Sequence, residues 1–467
     1  MFKRILAATM AATMFMMLLA SCGEKTDPNA TTVSGQEQEI SGLTETGETS
    51  STTSGKVTSG GESGPTGGSV TPSGSNGSGG PKREIKIWWD SNDESMQAAA
   101  REWRKRNSGV TFNINSPADS TVGGLKRAYS ANQEPDVVSL DHVYITSLGR
   151  EGIIYDLSQF GANKVANKYI SSCWDGVSFN KKVYGLPHNG NTIALIYNKD
   201  MFDKINKKAP KTYEDIVKTG QALNKQFPAK DAFTSPFFDT ADQGRWNWAT
   251  FVYFFWLWRS GGEVLNSSLT KSTFNSSAGV NALNKLVDLV DKYDVCYGQG
   301  YRENEFYNGD VGMIEMGNWC MPKLTSASAN ANFGVAMMPT LIKGGKNYSG
   351  LGLFAVGITS RVKKAQEVYD FLEFYTTNDT YQVQYGKQYH QLPVTKNAIQ
   401  NSHYTKNAFW SLYSKQYKLA RSRPGVKNWS EMEKVIAESI NKAVTKQETA
   451  KTALDNAAKK INALLAK

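Results

Sequence analysis

LPHNGNTIALIYNKDMF, residues 186–202, is followed at 210–216 by PKTYEDI, and this stretch is the most informative in the chain. Its opening, Gly185 to Asn191, reads as a loop, because glycine, proline and asparagine crowd it. Thr192 to Tyr197 is a nearly unbroken apolar run of strand length, and Asn198-Lys199-Asp200 opens a helix. The same alternation continues upstream. Glu84 to Asp90 alternates polar and apolar residues and runs into the polar loop Ser91-Asn92-Asp93-Glu94. An amphipathic helix follows, with Met96, Ala99 and Trp103 inward and Arg101, Arg104 and Lys105 outward. Val110 to Ile114 reads as a strand, and Asp136 to Leu140 as a buried one. Strands alternating with helices predict an α/β fold with parallel sheets. Ligands of such sheets bind beyond the carboxyl ends of the strands, which makes Asp90 to Asp93 and Asp141-His142 candidate site residues.

Downstream, Arg245 to Trp258 is aromatic almost throughout, and Gly261-Gly262 breaks the chain. Gly309 to Trp319 reads as a strand entering a glycine turn capped by an indole. Ser430 and Glu433 have capping-box spacing ahead of a helix with Met432, Val435, Ile436, Ile440, Ala443 and Val444 on one face. A last helix places Ala453, Leu454, Ala457, Ala458, Ile461 and Leu464 inward.

The amino terminus carries different information. Lys3 and Arg4 precede an apolar run, Ile5 to Ala20, that falls short of the about 20 residues of a membrane span but suits a signal peptide. It ends in Leu19-Ala20-Ser21-Cys22, which looks like a bacterial lipobox. Residues 1–21 are therefore read as a lipoprotein signal peptide, with Cys22 the lipidated residue and the outer face of the cytoplasmic membrane the destination. Residues 22–83 are mostly Gly, Ser, Thr and Glu, a composition too poor in large apolar side chains to offset ordering entropy, and are expected to form a disordered tether. The net charge is +10. Because the tether is acidic, the basic excess lies on the globular part, where it reads as a lysine-rich solvated surface; nucleic acid is not an expected partner of an exported protein. Beyond Cys22 only Cys173, Cys296 and Cys320 remain; this sparse odd set is no disulfide framework, and buried free thiols are expected.

Ordered pieces of the chain resemble one known family. They are IKIWWDSND (85–93), PDVVSLD (135–141), GREGIIYDLSQF (149–160), VYGLPHNGNTIALIYNKDMF (183–202), APKTYEDI (209–216), SGGEVLN (260–266), NGDVGMIEMGNW (308–319), FGVAMMP (333–339), GLGLFAVGITS (350–360) and, after the Trp429 helix, TALDNAAKKINALL (452–465). Together they are similar to the extracellular solute-binding proteins of ABC importers, of the carbohydrate-binding type that includes maltose-binding protein. The resemblance implies a type II periplasmic-binding-protein-like fold: two α/β lobes, each a mainly parallel sheet flanked by helices, clamping a ligand between them. Three hinge crossovers are expected, near Asn189–Ala194, Pro339–Gly350 and Tyr389–Pro393. Lobe 1 would comprise 84–190 and 345–391, and lobe 2 would comprise 191–344 and 392–467.

Carried over position by position, the resemblance implies that a ligand meets Trp89, Asp90, Asn92 and Asp93 on the first loop and Asp141 and His142 on the second. It adds His188, Asn189 and Asn191 at the hinge, Trp246, Trp248 and Trp319 in lobe 2, and Arg423 and Trp429 near the late helix. Leu140 stands where maltose-type members carry an aromatic, which argues against malto-oligosaccharides. A pyranose offers flat C–H faces to aromatic rings and hydroxyls to Asp, Asn and His, so this residue mixture suits sugar chemistry. The implied partners are a sugar or oligosaccharide, the permease subunits of an ABC transporter and, through Cys22, a membrane; a monomer without cofactor, metal or catalytic residues is expected. Two rivals stand beside this reading. One is a carbohydrate-active enzyme using Asp93 and Asp141, whose carboxyls would have to flank a bound sugar roughly 5–9 Å apart. The other keeps the fold and binds polyamine or ferric ion.

Overall fold

The computed structural model describes residues 83–238, 246–326 and 331–466. The signal peptide, Cys22 and almost all of the tether lie outside them. Strand β1 (Arg83–Trp88) buries Ile85 and Ile87 completely and turns Glu84 and Lys86 to solvent, as its alternation predicts. Strands β2 (Val110–Asn115) and β3 (Val137–Asp141) flank it in parallel. A two-residue pair, β4 (Ser178–Phe179) and β5 (Lys182–Val183), forms a separate antiparallel ladder. Then come β6 (Leu186–Asn198), β7 (Asp231–Thr234), β8 (Val311–Gly317), β9 (Phe333–Ala336), β10 (Ser349–Ile358) and β11 (Ala420–Arg421).

These strands join in the order β2-β1-β3-β10-β6-β8-β7, with β11 on β10 and β9 on β6. The sheet as a whole is mixed, and within each half the strands are parallel apart from one reversed strand. β7 and β8 are parallel, but β10 runs against β3 and β6, and β6 runs against β8. β10 returns to the first lobe after the chain has built the second, so it enters the sheet from the opposite end.

The loop expected at Gly185 to Asn191 is mostly strand. Leu186 to Asn191 form the first half of β6 and pair with β10. Pro187 cannot donate to a ladder, and the register slips between Phe354 and Ala355 beside it, an irregularity of the kind that lets a sheet hold proline. From Ile193 onward β6 pairs with β8 instead.

Six helices position the residues that matter for the site: α1 (Glu94–Arg106), α2 (His142–Arg150), α3 (Trp246–Arg259), α4 (Asp379–Gln388), α5 (Trp429–Val444) and α6 (Ala450–Leu465). In α3, Val252 to Leu257 are all fully buried, so this helix is apolar on every face and runs through the core. α5 starts without the expected capping box: Asn428 precedes it at φ 58° with no side-chain cap, and Glu433 is held elsewhere, by Tyr144.

Two large apolar clusters divide the molecule. One gathers Ile85, Ile87, Met96, Val137, Leu186, Ala355 and Val356; the other gathers Ile193, Leu195, Phe233, Trp256, Met313 and Trp429. Leu392, Val394, Tyr404, Tyr413 and Ala420 pack with the first, whereas Val426, Met432, Ile436 and Leu454 pack with the second. The apolar packing therefore passes from one cluster to the other between Ala420 and Val426, because the aromatics of 404–417 close the first core. Cys173, Cys296 and Cys320 are buried free thiols, and burial pushes the Cys173 thiol up to about 12.

Candidate functional site

Asp141 of β3 and His188, Asn189 and Asn191 of β6 lie on either side of β10. Phe354 is in register with Asp141 on one side and Asn189 on the other, which places these three positions in one row across the sheet. Two groups of side chains meet there.

The first group belongs to lobe 1 and is largely closed to solvent. Trp89 is the buried member of the Trp88-Trp89 pair; its indole N–H donates to Asp93 at 2.7 Å and its ring lies 4.3 Å from that of His188. Asp93 is fully buried. It caps α1 by accepting from the Ser95 and Met96 amides and also accepts from the Ser95 and Tyr375 hydroxyls. Burial pushes its pKa up, against the lowering effect of those bonds. The acceptor capacity of Asp93 is thus spent inside, on the cap of α1 and on Trp89 and Tyr375. Ser139 meets His188 Nε2 at 2.8 Å, and the Asn189 amide lies 3.0 Å from His188 Nδ1. Burial pushes His188 down to about 3, so its imidazole is neutral at physiological pH. Asp90 and Asn191 remain partly open: Asp90 accepts from the Tyr389 hydroxyl at 2.7 Å, and Asn191 donates to Gln391 at 3.3 Å. Asn92 is exposed.

The second group spans the lobes. Asp141 caps α2 and pairs with His142 Nδ1 at 2.9 Å and with the Arg423 guanidinium. Burial alone would raise the Asp141 pKa, but Arg423 and His142 outweigh it and hold the carboxyl well below the usual range. Arg423 also reaches Glu433 at 3.5 Å, and Glu433 accepts from the Tyr144 hydroxyl at 2.9 Å. The guanidinium lies 5.2 Å from the Phe251 ring centroid. From Phe251 the aromatic contacts continue to Trp248 (6.0 Å) and from Trp248 to Trp319 (5.7 Å). Trp248 and Trp319 keep part of their surface exposed.

The structure thus brings Asp141, His142, Trp248, Trp319, Arg423 and Trp429 into one contiguous network, but not all in the expected role. His142 and Trp429 are fully buried, and Arg423 is 5% exposed, with its charge already divided between two carboxylates. The side chain of Trp246 lies outside the described residues. Leu140, at the position of the missing aromatic, is a buried core residue. Sequence reasoning missed Phe354, Tyr385, Tyr389 and Gln391, all partly open beside the crossover, as well as Tyr144, Phe251 and Glu433. Phe354 lies within a quoted motif, but only the strand register shows that it stands between Asp141 and Asn189.

Comparison with known proteins agrees with this architecture. The family described as bacterial extracellular solute-binding protein matches residues 98–409. A maltooligosaccharide ABC transporter solute-binding lipoprotein of Streptococcus pneumoniae is 24% identical over 388 residues, covering 80% of this chain and 87% of the relative. The maltodextrin-binding protein of Bacillus subtilis is 24% identical over 78% of this chain and 86% of its own length. Among solved structures, the cyclic alpha-maltosyl-1,6-maltose binding protein of Arthrobacter globiformis superposes with a TM-score of 0.72 at 22% identity, covering 83% of this chain and 99% of that one. With two lobes sharing β6 and β10, and with a family match that spans most of the chain, this protein belongs to the bacterial extracellular solute-binding proteins.

Proposed function

We propose that this protein is the solute-capturing lipoprotein of an ABC importer and that its solute is a sugar or oligosaccharide held between the lobes. The observation that carries the reading is the partly exposed aromatic pair Trp248–Trp319, together with the hydrogen-bonding groups of Asp90, Asn92, Asp141, Asn191 and Gln391, all at least partly open. Indole faces suit the C–H faces of a pyranose, and the carboxylates and amides suit its hydroxyls. The names of the relatives, which bind maltooligosaccharides and related sugars, point the same way. The protein captures and does not catalyse: Asp93 is sealed and Asp141 is held as an ion by Arg423, so neither carboxyl is free to exchange a proton with a glycosidic oxygen. Lobe 1 is built from residues 84–190, the return through 345–391 and the aromatics up to Ala420. Lobe 2 is built from 191–344 and from Val426 onward. Cys22 carries the lipid, and the tether lets the lobes reach the permease.

A thermal-shift screen against a glycan panel tests the reading, because a ligand at about 100 times its dissociation constant adds roughly 2.7 kcal/mol. The expected result is a rise in melting temperature with at least one neutral sugar. A panel in which no sugar raises it, while a polyamine or ferric ion does, replaces this reading with the other.

A further inference from the structure

Strand β6 changes partners in the middle. Thr192 is the last of its residues aligned with β10, opposite Leu351, and Ile193 is the first aligned with β8, opposite Gly317. Backbone groups at such a change lose their regular ladder, yet both residues are fully buried and their N–H and C=O groups need partners. Side chains supply them. The Asn318 side-chain oxygen accepts from the Thr192 N–H at 3.0 Å. Ser349 Oγ accepts from the Ile193 N–H at 3.2 Å and donates to the Ile193 carbonyl at 2.7 Å. The Thr192 hydroxyl donates to the Gly350 carbonyl at 3.0 Å.

Asn318 does more than fill a gap. Its Nδ2 donates to the His390 carbonyl at 2.7 Å, and His390 stands in the left-handed region at φ 54°. Two residues later Leu392 bridges Gly190 of β6 through two backbone bonds of 2.8 and 2.9 Å. One fully buried carboxamide therefore ties together two of the three crossovers. A carboxamide suits this position, since the site asks one end to accept from an N–H and the other, some distance away, to donate to a carbonyl. Aspartate supplies the acceptor alone, and an apolar residue supplies neither.

We propose that Asn318 is a positioning residue for lobe closure, pinning the seam about which the two lobes turn. The idea rests on the reading that the lobes close around a solute, but its test needs no solute. Hydrogen exchange, resolved to single amides, is measured on the full chain without ligand. In Asn318→Ala the Thr192, Gly190 and Leu392 amides exchange at least about tenfold faster, whereas Leu195 and Tyr197, further along β6, are unchanged. In Asn318→Asp the carboxylate still accepts from Thr192, so that amide stays slow, while Gly190 and Leu392 become fast. Unchanged Thr192 and Leu392 protection in Asn318→Ala overturns the proposal. So does a loss spread evenly over β6 and β8, which would make Asn318 an ordinary core residue, or an Asn318→Asp chain in which Thr192 and Leu392 respond together. A protein that bound no sugar would leave these outcomes intact, so the two readings fail separately.

Discussion

The indole of Trp319 lies across Gly317, so closely that a β-carbon built on the glycine would stand 1.9 Å from the ring. Gly317 itself has φ −87° and ψ 169°, a conformation open to any residue. Glycine is required here for space and not for backbone freedom. The neighbouring Trp248 braces the same indole at 5.7 Å, so Trp319 is fixed from two sides while part of it stays exposed.

That geometry suits Trp319 to the proposed role of a platform, with an orientation that depends on Gly317. Trp319→Ala should weaken sugar binding by roughly 10- to 100-fold, from about 1–3 kcal/mol of stacking by analogy with aromatic stacking on nucleobases. Gly317→Ala should do the same without removing the indole, by displacing it, and should shift tryptophan fluorescence. Calorimetric affinity and melting temperature of both variants decide the matter. If Trp319→Ala costs the about 3–5 kcal/mol of stability typical of a core tryptophan and leaves affinity intact, the residue is core.

Arg423 separates two roles just as cleanly. Sequence similarity makes it a ligand contact, but the structure gives its charge to Asp141 and Glu433. Removing one partner of a buried ionic group leaves uncompensated charge, so Arg423→Ala should cost about 3–5 kcal/mol in urea unfolding. A ligand contact would show the reverse pattern, with near-normal stability and lost affinity.

The part of the fold that was legible in the sequence was written in local patterns. Ile85 and Ile87 alternate with Glu84 and Lys86, and the inward residues of α6 recur at helical spacing; both appear in the structure as read. What was not legible depends on partners far along the chain. Asp93 looked like an open loop acid, but Tyr375, 282 positions away, helps to seal it. Glu433 looked like a capping residue, but Tyr144, 289 positions away, claims its carboxylate. Pro187 and Gly190 signalled a loop, and only the partner strand, with its irregular register, makes them part of β6. The convergence of the strand ends was correspondingly legible from topology, while the burial of the side chains there was settled by tertiary contacts.

The anchor is testable without the globular part. In the proposed anchor, Cys22 of Leu19-Ala20-Ser21-Cys22 would supply the thiol for a lipid whose methylenes each contribute about 0.8 kcal/mol of membrane affinity. Cys22→Ala should move the protein from the membrane fraction to the medium. A variant that still pellets with membranes and survives a salt wash would rule out the lipid anchor.

His188 makes the protein sensitive to acid in a way that can be measured. An unfolded histidine titrates near pH 6.5, whereas burial beside Trp89, Tyr385 and Phe354 pushes the folded one down to about 3. Between those values the unfolded chain holds a proton that the folded one refuses. The stability linked to His188 is therefore complete above pH 6.5 and is lost as pH falls towards 3, at about 1.4 kcal/mol per pH unit. From pH 7 to pH 5 that amounts to about 2 kcal/mol. His188→Gln removes the titration while keeping a group able to bond Ser139. Urea unfolding at the two pH values should then show a pH-dependent loss about 2 kcal/mol smaller in the variant than in the wild type. Equal losses in the two proteins would mean that His188 titrates as a solvated imidazole, and that the closed packing around Trp89 does not persist in solution.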